Sequence, residues 1–91
     1  MISKDYTILA PEGIHARPAT ALVRLVKKFK SGISLQKGEK TIQLNSMLNI
    51  LALSTKGGDQ VSVLIDGEDE EEAASAIDVF FTEHLTTPDH T

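Results

Sequence analysis

Ile33-Ser34-Leu35-Gln36-Lys37-Gly38-Glu39-Lys40-Thr41-Ile42-Gln43-Leu44 holds two alternating runs around a Lys-Gly-Glu turn. Ile33 and Leu35 alternate with Ser34 and Gln36, and Ile42 and Leu44 with Thr41 and Gln43. Residues two apart share one face of a strand, so the stretch predicts a β-hairpin with one apolar and one polar face. Strands of this kind form a mainly antiparallel sheet that needs a cover on one side only. That need sets the fold class, and the flanking sequence supplies the cover.

Upstream, Tyr6, Ile8 and Ala10 alternate with Thr7 and Leu9 until Pro11-Glu12-Gly13 breaks the run, predicting a first strand and a turn. From Ala16, the residues Ala19, Leu22, Val23, Val26 and Phe29 recur at helical spacing, with Arg24, Lys27 and Lys28 opposite. This amphipathic helix is expected to stop near Ser31-Gly32. Downstream, Asn45-Ser46 precedes the apolar run Met47–Leu53, a short helix with a serine cap. Gly57-Gly58-Asp59 turns the chain into a fourth strand, where Val61, Val63 and Ile65 alternate with Ser62 and Leu64 up to Asp66-Gly67. A last helix is expected from about Asp69 to Leu85, with Glu70, Glu71 and Glu72 in its first turn and Ala73, Ile77, Phe80, Phe81 and His84 inward. Residues 86–91, with Pro88 and little apolar content, read as a frayed tail. The order β-α-β-β-α-β-α gives an α+β two-layer open-faced sandwich, a four-stranded mainly antiparallel sheet covered on one face by three helices. The domain is expected over residues 1–85.

Ninety-one residues make one small domain. The absence of Cys excludes disulfides and thiolate chemistry and suits a reducing cytoplasm. A net charge of −4 argues against nucleic-acid binding through phosphate contacts, which needs a concentrated basic face. Charge is nevertheless segregated: Lys27, Lys28 and Lys30 cluster, and acids crowd from Glu68 to Glu72. There is no signal peptide and no apolar run long enough to span a membrane, so a cytoplasmic protein without membrane insertion is expected.

The chemistry concentrates in Gly13-Ile14-His15-Ala16-Arg17-Pro18-Ala19-Thr20. Proline is tolerated in the first helical turn because the amide it lacks has no intrahelical partner there, so Pro18 puts the helix start near His15–Ala16. His15 then falls at the N-cap, where Ser or Asp is the usual choice; this breach of the local rule points to function. The positive helix end disfavours imidazolium and welcomes an anion, leaving a ring nitrogen free as a nucleophile, while Arg17 brings a guanidinium fork to the same anion. The pattern suits acceptance of a phosphoryl group. Taken alone, it is also compatible with a solvated loop histidine beside a surface arginine. His15, His84 and His90 lack metal-ligand spacing, and neither metal nor cofactor is expected.

Gly13-Ile14-His15-Ala16-Arg17-Pro18-Ala19 resembles the active-site signature of the histidine-containing phosphocarrier HPr family of the bacterial phosphoenolpyruvate-dependent sugar phosphotransferase system. The likeness runs from about Ile2 to Leu85, in the element order read above. It implies a monomeric, non-enzymatic phosphoryl carrier. His15 would be phosphorylated on Nδ1 by enzyme I, with Arg17 as phosphate ligand, and would pass the group to sugar-specific IIA domains.

Ser46 is by its surroundings the N-cap of the short helix. The resemblance adds a regulatory phosphorylation by an HPr serine kinase/phosphorylase, and with it a transcription regulator as a further partner. It also implies a docking surface of Thr20, Arg24, Met47, Leu48 and Leu51. Core packing is expected for Ile50 and Leu53, and exposure for Leu48 and Leu51. The chain departs from the family at Ser54, where Gly is usual, at Asn49, and at Glu12, whose charge stands beside the expected phosphate. A nitrogen-type regulatory carrier and a protein-binding module that is never phosphorylated are the competing readings.

Overall fold

The computed structural model describes residues 1–11, 13–14 and 16–85; Glu12, His15 and the tail expected over 86–91 lie outside the described residues. The elements are β1 (Ile2–Thr7), α1 (Ala16–Val26), β2 (Gly32–Lys37), β3 (Lys40–Gln43), α2 (Met47–Ala52), β4 (Gln60–Asp66) and α3 (Glu70–His84). The strands stand in the order β1-β4-β2-β3, and each neighbouring pair is antiparallel.

The hairpin forms as its alternation requires. Lys37 pairs with Lys40 and Leu35 with Ile42 across a turn in which Gly38 has φ +61°. Leu35 also faces Val63 of β4, so Ile33, Leu35, Val61, Val63 and Ile65 put one apolar face toward the helices. Leu22 of α1, Ile50 of α2 and Ile77 and Phe81 of α3 close over that face, fully buried. Burying a Leu, Ile or Phe side chain is worth roughly 1.5–3 kcal/mol. The predicted two-layer α+β sandwich is therefore the fold.

The first strand and the end of α1 fall elsewhere than expected, each for a physical reason. The first strand lies at Ile2–Thr7, earlier than the Tyr6–Ala10 alternation suggested, because its partner β4 begins at Gln60, opposite Thr7. Beyond Thr7 the chain leaves the ladder: the Ile8 amide donates to Asp59 O at 2.8 Å, and the Leu9 and Ala10 amides both donate to Leu85 O, at 2.7 and 3.1 Å. Helix α1 ends at Val26, not near Ser31-Gly32. The next amides bond tightly backward, Lys28 to Leu25 O and Phe29 to Val26 O. Asp69 then captures the chain, accepting from Lys30 N (2.8 Å), Ser31 N (2.9 Å) and Ser31 Oγ (2.5 Å). Gly67 belongs to the same junction, since a Cβ there would lie 2.6 Å from Ser31 Cα.

His84 was expected inward and is exposed. The last inward position of α3 falls to Leu85, which is fully buried, and the His84 ring lies outside against Phe80, centroids 4.7 Å apart. At the sheet edge, Tyr6 stacks on Phe81 at 4.4 Å and donates to Asp78 Oδ1 at 2.9 Å. Burial, then that bond and the Asp78 charge, push the Tyr6 phenol above its ordinary range.

Candidate functional site

The turn into α1 is built against the loop that follows α2. Gly13 has φ +65°, and a Cβ there would stand 2.2 Å from Thr55 O and 2.4 Å from Thr55 C, so both conformation and space demand glycine. Next in sequence, Ile14 is buried and its amide donates to Thr55 Oγ1 at 2.8 Å, inside the protein. Gly13 N closes the turn on Ala10 O at 2.9 Å, and Gly57 N donates to Pro11 O at 3.2 Å. The residues flanking His15 are thereby fixed from outside their own helix.

The receiving loop is braced in turn. Lys37 Nζ donates to Ser54 O at 3.0 Å and pairs with Asp59 at 3.1 Å, while Lys56 N donates to Asp59 Oδ2 at 2.9 Å. The Lys37 bond and then the Lys56 amide hold the Asp59 carboxyl below the usual carboxylate range. A chain of contacts thus runs from the hairpin through residues 54–59 to the start of α1. Thr55 is its buried link, and composition and periodicity gave no signal for it. Only its buried partner, an amide 41 residues away, reveals the role.

Helix α1 has no acidic residue in its first turn. Its first amides have no intrahelical acceptors, so this end carries a partial positive charge and can hold an anion. Arg17 is exposed there and lines a shallow depression with Thr20, Ala21 and Arg24, spaced as one helical face. The predicted phosphate ligand and two predicted docking residues therefore share a face. The third member of the site, His15, lies outside the described residues, as does Glu12.

Helix α2 adjoins this face. Thr20 Oγ1 donates to Met47 Sδ at 3.2 Å, joining the two helices. Ile50 and Leu53 are buried, whereas Leu48 is 79% and Leu51 39% exposed, the division expected from the sequence. Met47 is half-buried and packs on the core. Ser46 caps α2, its Oγ accepting from Asn49 N at 3.4 Å. Ser54, at the other end, takes the left-handed conformation at φ 57°, and is the one non-glycine residue to do so among the described residues. Among the described residues no cluster of His, Cys, Asp or Glu is arranged for a metal ion, and no helix is long and apolar enough to cross a membrane.

Residues 2–83 match the family model of the HPr component phosphorylation site of the phosphotransferase system. The chain is 39% identical over 83 residues to the phosphocarrier protein HPr of Lysinibacillus sphaericus, covering 91% of this chain and 94% of that one. A histidine-containing phosphocarrier protein from Mycoplasma superposes with a TM-score of 0.87 at 32% identity, over 90% of this chain and 93% of its own. Crh, the catabolite repression containing protein of Bacillus subtilis, described as a dimer with a swapping domain, superposes with a TM-score of 0.73 at 26% identity, over 96% and 100%. With a family model spanning nearly all of its elements and the HPr open-faced sandwich as its fold, this chain belongs to the HPr phosphocarrier family of the phosphotransferase system.

Proposed function

We propose that this chain is a stoichiometric phosphoryl carrier whose acceptor is the His15 imidazole. Nδ1 of His15 attacks the phosphorus held on the phosphohistidine of enzyme I. The new P–N bond forms as the old one breaks; the His15 ring gives up its Nε2 proton and the departing enzyme I imidazole takes up one proton, so that it leaves as the neutral ring. The same step, run onward, delivers the group to the histidine of a sugar-specific IIA domain. Arg17 and the open first turn of α1 offset the phosphoryl charge, and because the chain is itself the acceptor in one transfer and the donor in the next, one group per chain, it is a relay member and not an enzyme. The proposal includes a cytoplasmic, monomeric chain.

The observation that carries this reading is the start of α1. It is free of acidic side chains in its first turn, bears the exposed Arg17, and is braced at Gly13 and Ile14 by Thr55. Thr20, Arg24, Met47, Leu48 and Leu51 would form the surface on which enzyme I and the IIA domains dock, apolar leucines beside basic side chains. Incubation with phosphoenolpyruvate and enzyme I is expected to give one acid-labile phosphate per chain. A His15→Ala chain that still takes label ends the assignment.

A regulatory role joins the carrier role at Ser46. As the N-cap of α2 its hydroxyl stands at a helix start, where an added phosphate is electrostatically favoured. An HPr serine kinase is expected to label the wild-type chain and not Ser46→Ala; equal labelling of both would remove Ser46 from the proposal.

A further inference from the structure

The chain holds no cysteine and two methionines, so its only sulfur atoms are the thioethers of Met1 and Met47. Met1 is 76% exposed, whereas Met47, the first residue of α2, is half-buried and packs on the core. The Met47 sulfur is also a hydrogen-bond acceptor, taking the Thr20 hydroxyl of α1 at 3.2 Å. Thr20 lines the depression that holds Arg17 and Arg24, and Leu48, next to Met47, stands exposed. One polarizable atom therefore sits where the core, α1 and an exposed apolar surface meet.

We infer that Met47 is a reversible oxidation site, and that its sulfoxide weakens docking of the chain on its phosphoryl donor. The docking half rests on the carrier reading above; the oxidation half does not. The oxidant is a peroxide. A sulfur lone pair attacks one oxygen of hydrogen peroxide, an S–O bond forms as the O–O bond breaks, and the hydrogen of the transferred hydroxyl passes to the departing hydroxide, which leaves as water. Sulfur is oxidised and peroxide reduced, and a flexible apolar side chain becomes a polar one. At 3.2 Å there is no room for an oxygen between the sulfur and the Thr20 hydroxyl, and an oxygen turned inward would be buried without a full set of partners. The side chain therefore swings toward water and alters the surface it shares with Thr20, Leu48 and Leu51. A methionine sulfoxide reductase, driven by a dithiol that becomes a disulfide, removes the oxygen as water and restores the thioether.

The test uses the full chain as wild type and Met47→Leu, each compared with itself before and after hydrogen peroxide, with the peroxide removed before enzyme I and phosphoenolpyruvate are added. Leucine keeps nearly the same volume without the sulfur. Peptide mass spectrometry of the folded wild type is expected to find one added oxygen at Met47 as well as at Met1. Phosphoryl uptake at limiting chain concentration is then expected to fall about tenfold, the scale of one polar group poorly accommodated at an interface, and to match the untreated chain at saturating concentration, as a loss of binding alone requires. Reductase treatment is expected to recover the original rate. Met47→Leu, oxidised at Met1 alone, is expected to keep its own untreated rate. A Met47 that gains oxygen only under conditions that also unfold the chain overturns the inference, as does an oxidised wild type with unchanged uptake or a Met47→Leu chain that loses as much as wild type. An untreated wild type that takes no phosphate overturns the carrier reading and with it the docking half, while the peptide masses still decide whether Met47 is an oxidation site.

Discussion

Helices α1 and α3 begin in opposite ways. The first turn of α3 holds Glu70, Glu71 and Glu72, and Glu70 also accepts from Gly67 N at 3.2 Å and from the Met1 amino group at 3.1 Å. The first turn of α1 holds no acid and presents Arg17. The same positive helix end is thus neutralised from within the chain in one case and left for an outside anion in the other. Stability explains the first arrangement and not the second. The start of α1 is held instead from a distance, by Thr55 against Gly13 and Ile14, which fixes the backbone while leaving the charge unspent.

The strongest way to break this comparison is to attack the brace. Gly13→Ala puts a methyl 2.2 Å from Thr55 O at a left-handed φ, and is expected to cost about 3 kcal/mol in urea unfolding, strain and overpacking combined. Wild-type stability would mean that the turn is not clamped. Arg17→Ala tests the open charge and should slow phosphoryl uptake about 100-fold, roughly 2.7 kcal/mol, while the unfolding midpoint stays near wild type. A large loss of stability in that variant would make Arg17 structural, like the residues that begin α3.

Smaller effects sharpen the same contrast. Thr55→Val keeps the shape but strands the buried Ile14 amide, for about 2 kcal/mol by denaturation. Ser54→Gly relieves the left-handed serine after α2 and is expected to stabilise by about 1 kcal/mol, visible as a higher melting temperature. An unchanged melting temperature would show the strain to be compensated elsewhere. The start of α3 is probed by acid. Asp69, held low first by Ser31 Oγ and then by the Lys30 amide, and Glu70, held low first by the Gly67 amide, have folded pKa values below their unfolded ones. Their stabilisation is therefore complete above the ordinary carboxylate range and fades as pH falls through the folded values. Asp69→Asn should flatten that acid limb of the stability curve, and an unchanged limb would remove Asp69 as a source.

Much of this was legible in the residues. Period-two runs at 33–36, 41–44 and 61–65 gave the strands and their buried face, because a half-covered sheet forces that alternation. Ser46 before an apolar run gave α2, and the split between Ile50 with Leu53 and Leu48 with Leu51 followed from a helix too short to bury every side. What local pattern missed depends on distant partners. The end of α1 is set by Asp69, the end of β1 by where β4 begins, and the loop before α1 by Thr55. His84 fell outside because Leu85 took the last inward place on α3, and only the packing of α3 against α1 brought it beside Arg17. Pro18 and Arg17 pointed to the start of α1 from sequence, but nothing near them named what supports it.

Leu85 O receives the amides of both Leu9 and Ala10, on the approach to the turn before α1. During synthesis that approach leaves the ribosome well before the carbonyl that receives it. The approach to the turn before α1 therefore completes this backbone pairing only after residue 85 has been added.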